Sequence, residues 1–177
     1  PNFVMSSRRE SSQDFIGVRA RSEREPQLLR LGPTFVLYAL LDAVVDRYFP
    51  LAEGLERELE RIEDRIFVRE SQRHNIERLY ALKSRVLVLR HAVVPLMETV
   101  GKLYGGRVPA MFLGSEEYFR DVHDHLFRLN GMLDSTRDTI NTAIQVALSM
   151  TAIEDGEVNK KLAAWAAIFA SFTAFAG

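Results

Sequence analysis

From Pro33 onward the apolar residues fall into three regular series. In the first, Leu41, Val45, Tyr48, Ala52, Leu55, Leu59, Ile62 and Ile66 follow alternating steps of four and three, the spacing of a helix that buries one seam. The second runs Leu79, Leu82, Val86, Leu89, Val93, Leu96, Val100 and Leu103. The third runs Phe119, Val122, Leu126, Leu129, Leu133, Thr136, Ile140, Ala143, Ala147 and Met150. Helices are therefore expected over about 33–68, 74–104 and 115–157. Pro33 suits a first helical turn, where a missing N–H costs nothing. Pro50 and Pro95 are expected to kink or bend their helices. Gly105-Gly106 should end the second, and Ser115 with Glu116 and Glu117 opens the third. Residues 1–31 are less regular. Phe3-Val4-Met5 reads as the end of a strand, and Gln13 to Arg24 as a short polar helix stopped by Pro26.

The 177 residues suffice for one sizeable core. With 23 Lys+Arg against 24 Asp+Glu, the net charge of −1 gives no electrostatic case for nucleic acid. Cysteine is absent, which excludes disulfides, thiolate metal sites and cysteine nucleophiles. The near-neutral total conceals segregation. Residues 31–70 hold five basic and nine acidic groups, residues 71–108 seven and two, and residues 109–177 five and nine. The acidic first helix and the basic second are therefore expected to lie antiparallel, with opposite charges flanking the seam. Taken alone, these features describe a three-helix coiled coil.

The C-terminal stretch adds something else. Leu162 to Gly177 is 16 residues without a charge, against about 20 for a membrane-spanning helix and 17 at the short end. Lys160 and Lys161 directly precede it, as expected where a span leaves the cytosol. A truncated span is the preferred reading and a buried core helix the alternative. The chain, opening on Pro1 and closing on an apolar run, reads as a piece of a longer protein. If helix three continues, Ser115 to Gly177 forms a rod of roughly 95 Å, with Gly156 a cheap place to bend. Asn159, Leu162, Ala166, Ala170, Thr173 and Gly177 recur at steps of three and four and share one face of small or polar side chains. A pore-lining stripe and ordinary helix packing both fit that face.

Three segments together resemble the CorA magnesium/cobalt transporters. Tyr38–Phe67, YALLDAVVDRYFPLAEGLERELERIEDRIF, is similar to that family's first long cytoplasmic helix. Tyr118–Leu129, YFRDVHDHLFRL, resembles the start of its stalk helix, and Val158–Gly177, VNKKLAAWAAIFASFTAFAG, its first transmembrane helix, cut just before the Gly-Met-Asn signature. The resemblance implies a mainly α fold. Residues 1–31 would be the end of an N-terminal α/β domain, 32–157 a cytoplasmic helical stalk, and 158–177 the start of a transmembrane helix. It implies a homopentamer in a cell inner membrane, multi-pass in the full-length protein, with residues 1–157 cytoplasmic. It also implies passive Mg²⁺ flux, with Co²⁺ or Ni²⁺ possible, through a pore gated by cytoplasmic cation binding. Asn159, Leu162, Ala166, Ala170, Thr173 and Gly177 would then face the pore, and Leu162 would narrow an apolar gate. A zinc-transporting branch of the superfamily and a membrane-anchored coiled-coil scaffold are the alternatives.

Mg²⁺ prefers oxygen ligands and gives up its waters reluctantly. A conducting path should touch its hydration shell without fixed carboxylates, and the C-terminal face carries none. Asp121 and His125 stand one helical turn apart and can share a cation; the resemblance places them near an inter-subunit regulatory metal. A salt-bridged helix start beside Arg120 is the plainer reading. By the same resemblance Gln145 occupies the position of an inter-subunit sensor acid. An amide carbonyl binds Mg²⁺ far more weakly, so that contact is in doubt unless another acid, such as Asp138, replaces it. Glu56, Glu60, Glu63 and Asp64 form an acidic stripe interleaved with Arg57, Arg61 and Arg65, read as a solvated face. Ser, His and Asp form no triad pattern and no Gly-rich phosphate loop occurs. An enzyme is not expected.

Overall fold

The computed structural model describes residues 3–7, 16–67, 72–105, 112 and 114–176. Among them the order is α1 (Ile16–Glu23), α2 (Pro26–Leu29), α3 (Pro33–Asp46), α4 (Tyr48–Glu63), α5 (Gln72–Tyr104) and α6 (Glu116–Ala176). No strand occurs among the described residues, and residues 3–7 are irregular. The strand end suggested by Phe3-Val4-Met5 has no neighbouring strand there to take its backbone hydrogen bonds.

Local chemistry sets the helix ends. Gly32 precedes α3 at φ 75°, a region that L side chains rarely adopt, and Pro33 follows in the first turn. Gly114 (φ 83°) turns the chain into α6 in the same way. Glu116 and Glu117 then stand in the first turn of α6, where negative charge meets the positive end of the helix dipole. The single kinked helix suggested by the first apolar series is instead two helices broken at Arg47. Pro50 offers no N–H to the Asp46 carbonyl four residues back, and its ring crowds that oxygen, so α3 ends at Asp46. Pro95 lies inside α5, which continues through it to Tyr104. α6 runs without interruption for 61 residues, past Gly156 and into the apolar stretch.

The chain divides into two compact units, residues 1–56 with 85–136 and residues 57–84 with 137–177. In the first, the seam residues Val45, Ala52, Leu55, Val86, Leu89, Val93, Val100, Phe119, Val122, Leu126, Leu129 and Leu133 are all buried. Each large one contributes about 1.5–3 kcal/mol by leaving water. Phe35, Tyr38 and Tyr118 stack at centroid distances of 5.8, 6.3 and 5.1 Å, tying α3 to the start of α6. Arg90 Nε donates to Asp134 Oδ1 at 2.9 Å, linking α5 to α6, and within α6 Asn130 Nδ2 donates to Asp134 Oδ2 at 3.1 Å. Thr136, a polar residue on the seam, is buried and satisfies its hydroxyl by donating to the Met132 carbonyl at 2.8 Å.

In the second unit Leu59, Ile62, Ile66, Leu79, Leu82, Ile140, Ala143, Ile144 and Ala147 are buried. Asn75, itself buried, donates to the Arg65 carbonyl at 2.9 Å and fastens the end of α4 to the start of α5. Beyond Thr151 every described side chain of α6 as far as Ala170 is exposed. Glu63 gives this unit a pH dependence. Burial, with the charges of Glu60 and Asp64, holds its carboxyl above the ordinary 4.5, so the folded unit favours the protonated form. That contribution is complete below the ordinary value and is lost as pH rises through the raised one. Glu63→Gln is expected to remove this dependence and to stabilise the unit at neutral pH by at most about 0.5 kcal/mol. Urea unfolding at acidic and neutral pH measures it; the same pH difference in both proteins would refute the assignment.

Candidate cation site

Asp42 is the unusual residue of α3. It lies in the apolar segment Phe35–Val45 and is only 6% exposed. A helix places residues four apart on one face, so Asp46 stands above Asp42 on α3 and His125 above Asp121 on α6. The packing of α3 against α6 brings these pairs together. Ligand atoms of Asp42, Asp46 and His125 all lie within 4.8 Å of one another. His125 Nε2 is 3.9 Å from Asp121 Oδ1. Phe49 meets the His125 ring edge-to-face at 6.0 Å, and the Arg128 guanidinium lies 4.7 Å over Phe49. The imidazole is thus held by packing, since its buried Nδ1 makes no hydrogen bond.

Crowded, buried carboxylates resist ionisation. Burial raises the Asp42 carboxyl above its usual range, and Asp46 and then Asp121 add to the effect, while Arg21 and His125 oppose it. Tyr38, one turn before Asp42, is pushed up to about 12 by burial and by the charges of Asp42 and Asp121. Its phenol therefore stays protonated. A small cavity of about 80 Å³ reaches Asp42 between Arg21, Ser22, Tyr38 and Tyr118.

The donor set fits a divalent cation. Ligands at about 2.1 Å from Mg²⁺ lie about 3.0 Å apart when adjacent and about 4.2 Å when opposite, so the three side chains would draw together to share one ion. Two carboxylates satisfy a hard ion, and the imidazole suits Co²⁺, Ni²⁺ or Zn²⁺ better than Mg²⁺. A bound cation would also offset the burial and the carboxylate repulsion that together raise Asp42.

Of the residues singled out in the sequence, Asp121 and His125 are brought together, but Asp42 and Asp46 complete the group and were not foreseen. The available signal was a lone acid inside an apolar segment with a second acid one turn later. Gln145 is exposed on α6. Asp138 is exposed too and accepts from its neighbour Arg137 at 3.1 and 2.9 Å. Asn159, Leu162, Ala166 and Ala170 are exposed on α6; Thr173 belongs to the same helix, and Gly177 lies outside the described residues. Among the described residues no helix is long and apolar enough to cross a membrane.

The chain is mainly helical, with very long helices that bring two carboxylates and an imidazole together. The profile of the family described as "CorA-like Mg2+ transporter protein" matches residues 1–176, and the chain belongs to that family. Its description is that of transporters, not enzymes. The "Cobalt/magnesium transport protein CorA" of Thermotoga maritima is 30% identical over 177 residues, covering 99% of this chain and 50% of that protein. The protein of the same name from Methanocaldococcus jannaschii is 23% identical over 150 residues, covering 84% and 47%. The chain thus spans about half the length of these relatives. The complete structure of the CorA magnesium transporter from M. jannaschii superposes with a TM-score of 0.66 at 21% identity, covering 85% of this chain and 49% of that one. That likeness concerns the fold.

Proposed function

We propose that this chain is the stalk of a CorA-type divalent cation channel, and that the group of Asp42, Asp46, Asp121 and His125 is a regulatory cation site on it. Mg²⁺ is the transported ion, with Co²⁺ and Ni²⁺ as further substrates. The observation that carries the reading is the convergence of ligand atoms from Asp42, Asp46 and His125 within 4.8 Å in a chain of a cation-transporter family. Residues 1–31 close a preceding α/β domain, 32–157 form the cytoplasmic stalk, and 158–177 begin the first transmembrane helix of an inner-membrane homopentamer. In that arrangement Asn159, Leu162, Ala166, Ala170, Thr173 and Gly177 line the pore and touch the hydration shell of the passing ion. Their face carries no carboxylate, so nothing there traps the cation. Gln145, an uncharged amide, makes a weak inter-subunit contact with a cation, which leaves sensing mainly to the Asp42 group.

The test is flux. The full-length parent protein in liposomes is expected to admit Mg²⁺ down a gradient under an inward-negative potential, and cobalt hexammine to block it. Absence of flux under that potential would overturn the transport reading. One observation favours a second substrate class: His125 adds a nitrogen ligand that discriminates toward Co²⁺ or Zn²⁺. Uptake of Zn²⁺ in preference to Mg²⁺ in the same liposomes would move the protein to the zinc-transporting branch.

A further inference from the structure

The buried Asp42 carboxylate already has a cationic partner. Arg21, on α1, directs Nη1 at Asp42 Oδ2 at 3.4 Å, with its own side chain 66% exposed and that of Asp42 8% exposed. The carboxylate cannot leave, because it is enclosed in the helix packing. The guanidinium can, because most of it is in water and α1 is an eight-residue helix. The same carboxyl also lies with ligand atoms of Asp46 and His125 within 4.8 Å, and the charges of Asp46 and Asp121 act on it against that of Arg21. Arg21 and a cation held with Asp46 and His125 would therefore both neutralise the Asp42 carboxylate.

We infer that Arg21 is a tethered competitor of the cation at Asp42, so that filling the site releases Arg21 and loosens α1. This rests on the cation-site reading given above. The physical case is one of mutual exclusion. Asp42 needs one positive partner to be tolerated in its enclosed position. A divalent ion shared with Asp46 and His125 supplies more charge at shorter range than a guanidinium at 3.4 Å. Two cations converging on one carboxylate would repel, so each weakens the other. The consequence is reciprocal: Arg21 lowers cation affinity, and the cation lowers the hold on α1. Glu25 and Ser22 line the same cavity as Arg21, and Glu25, four residues after Arg21, offers the freed guanidinium an alternative partner.

Co²⁺ titration of the chain by calorimetry at fixed neutral pH tests the inference, with circular dichroism as a control for folding. Arg21→Gln is expected to tighten Co²⁺ binding by about two- to fivefold, the scale of one partly exposed ion pair. Arg21→Lys, which keeps the charge, should remain within about twofold of the parent. In an Asp42→Asn background the Arg21→Gln effect should vanish. Hydrogen exchange should show the α1 amides exchanging faster once Co²⁺ is added. Unchanged or weaker Co²⁺ binding in Arg21→Gln, with Asp42→Asn abolishing it, would overturn the competition and leave the cation site standing. Undiminished binding in Asp42→Asn would overturn the site itself. Exchange in α1 indifferent to Co²⁺ would overturn the coupling.

Discussion

Replacing Phe119 by Ala is expected to destabilise the first unit by about 3–5 kcal/mol, the range for a fully enclosed phenylalanine. Its side chain is 0% exposed and meets Phe112 edge-to-face at 5.8 Å. It stands in the first turn of α6. Phe127 supplies the control. It belongs to the same helix but is 68% exposed, so Phe127→Ala should change stability by no more than about 0.5 kcal/mol. Chemical denaturation of the two variants side by side measures the difference. Equal losses would show that the seam does not carry the stability of this unit, and the packing described for it would have to be abandoned.

The second large effect concerns the metal. At a hundredfold excess over its Kd, a cation that binds only the folded chain adds about 2.7 kcal/mol of stability. That increment is expected with Co²⁺ for the parent chain and should be almost wholly lost in His125→Ala. The same variant should keep much of its response to Mg²⁺, because the carboxylates of Asp42 and Asp46 supply the oxygen ligands that ion prefers. Thermal unfolding with each metal distinguishes the two cases. If His125→Ala loses the responses to both ions equally, the imidazole does not select between them. If it loses neither, His125 is not a ligand.

Why the seams were legible and the site only half so follows from the range of the forces involved. Periodicity is a local property. Leu79, Leu82, Val86, Leu126, Leu129 and Ile140, picked out by spacing alone, are all buried, because a heptad seam has one way to leave water. The break at Arg47 was less legible. The proline was noted, but its effect acts on the carbonyl four residues earlier and ends the helix there instead of bending it. The pair Asp121 and His125 was found because its spacing is one helical turn. Asp42 and Asp46 share that spacing, but among apolar neighbours the spacing alone does not mark them as a site. Their approach to His125 depends on how α3 packs against α6, which no short window of sequence contains. The C-terminal stripe was legible as a face, and α6 is helical throughout it; its role is a matter of surroundings, not of spacing.

The chain order of the cation group has a consequence for synthesis. Arg21 leaves the ribosome first, then Asp42 and Asp46, and only much later Asp121 and His125. A nascent chain that has made α1 and α3 can already join Arg21 to Asp42, whereas the group that would bind a metal does not exist until the first turns of α6 have emerged.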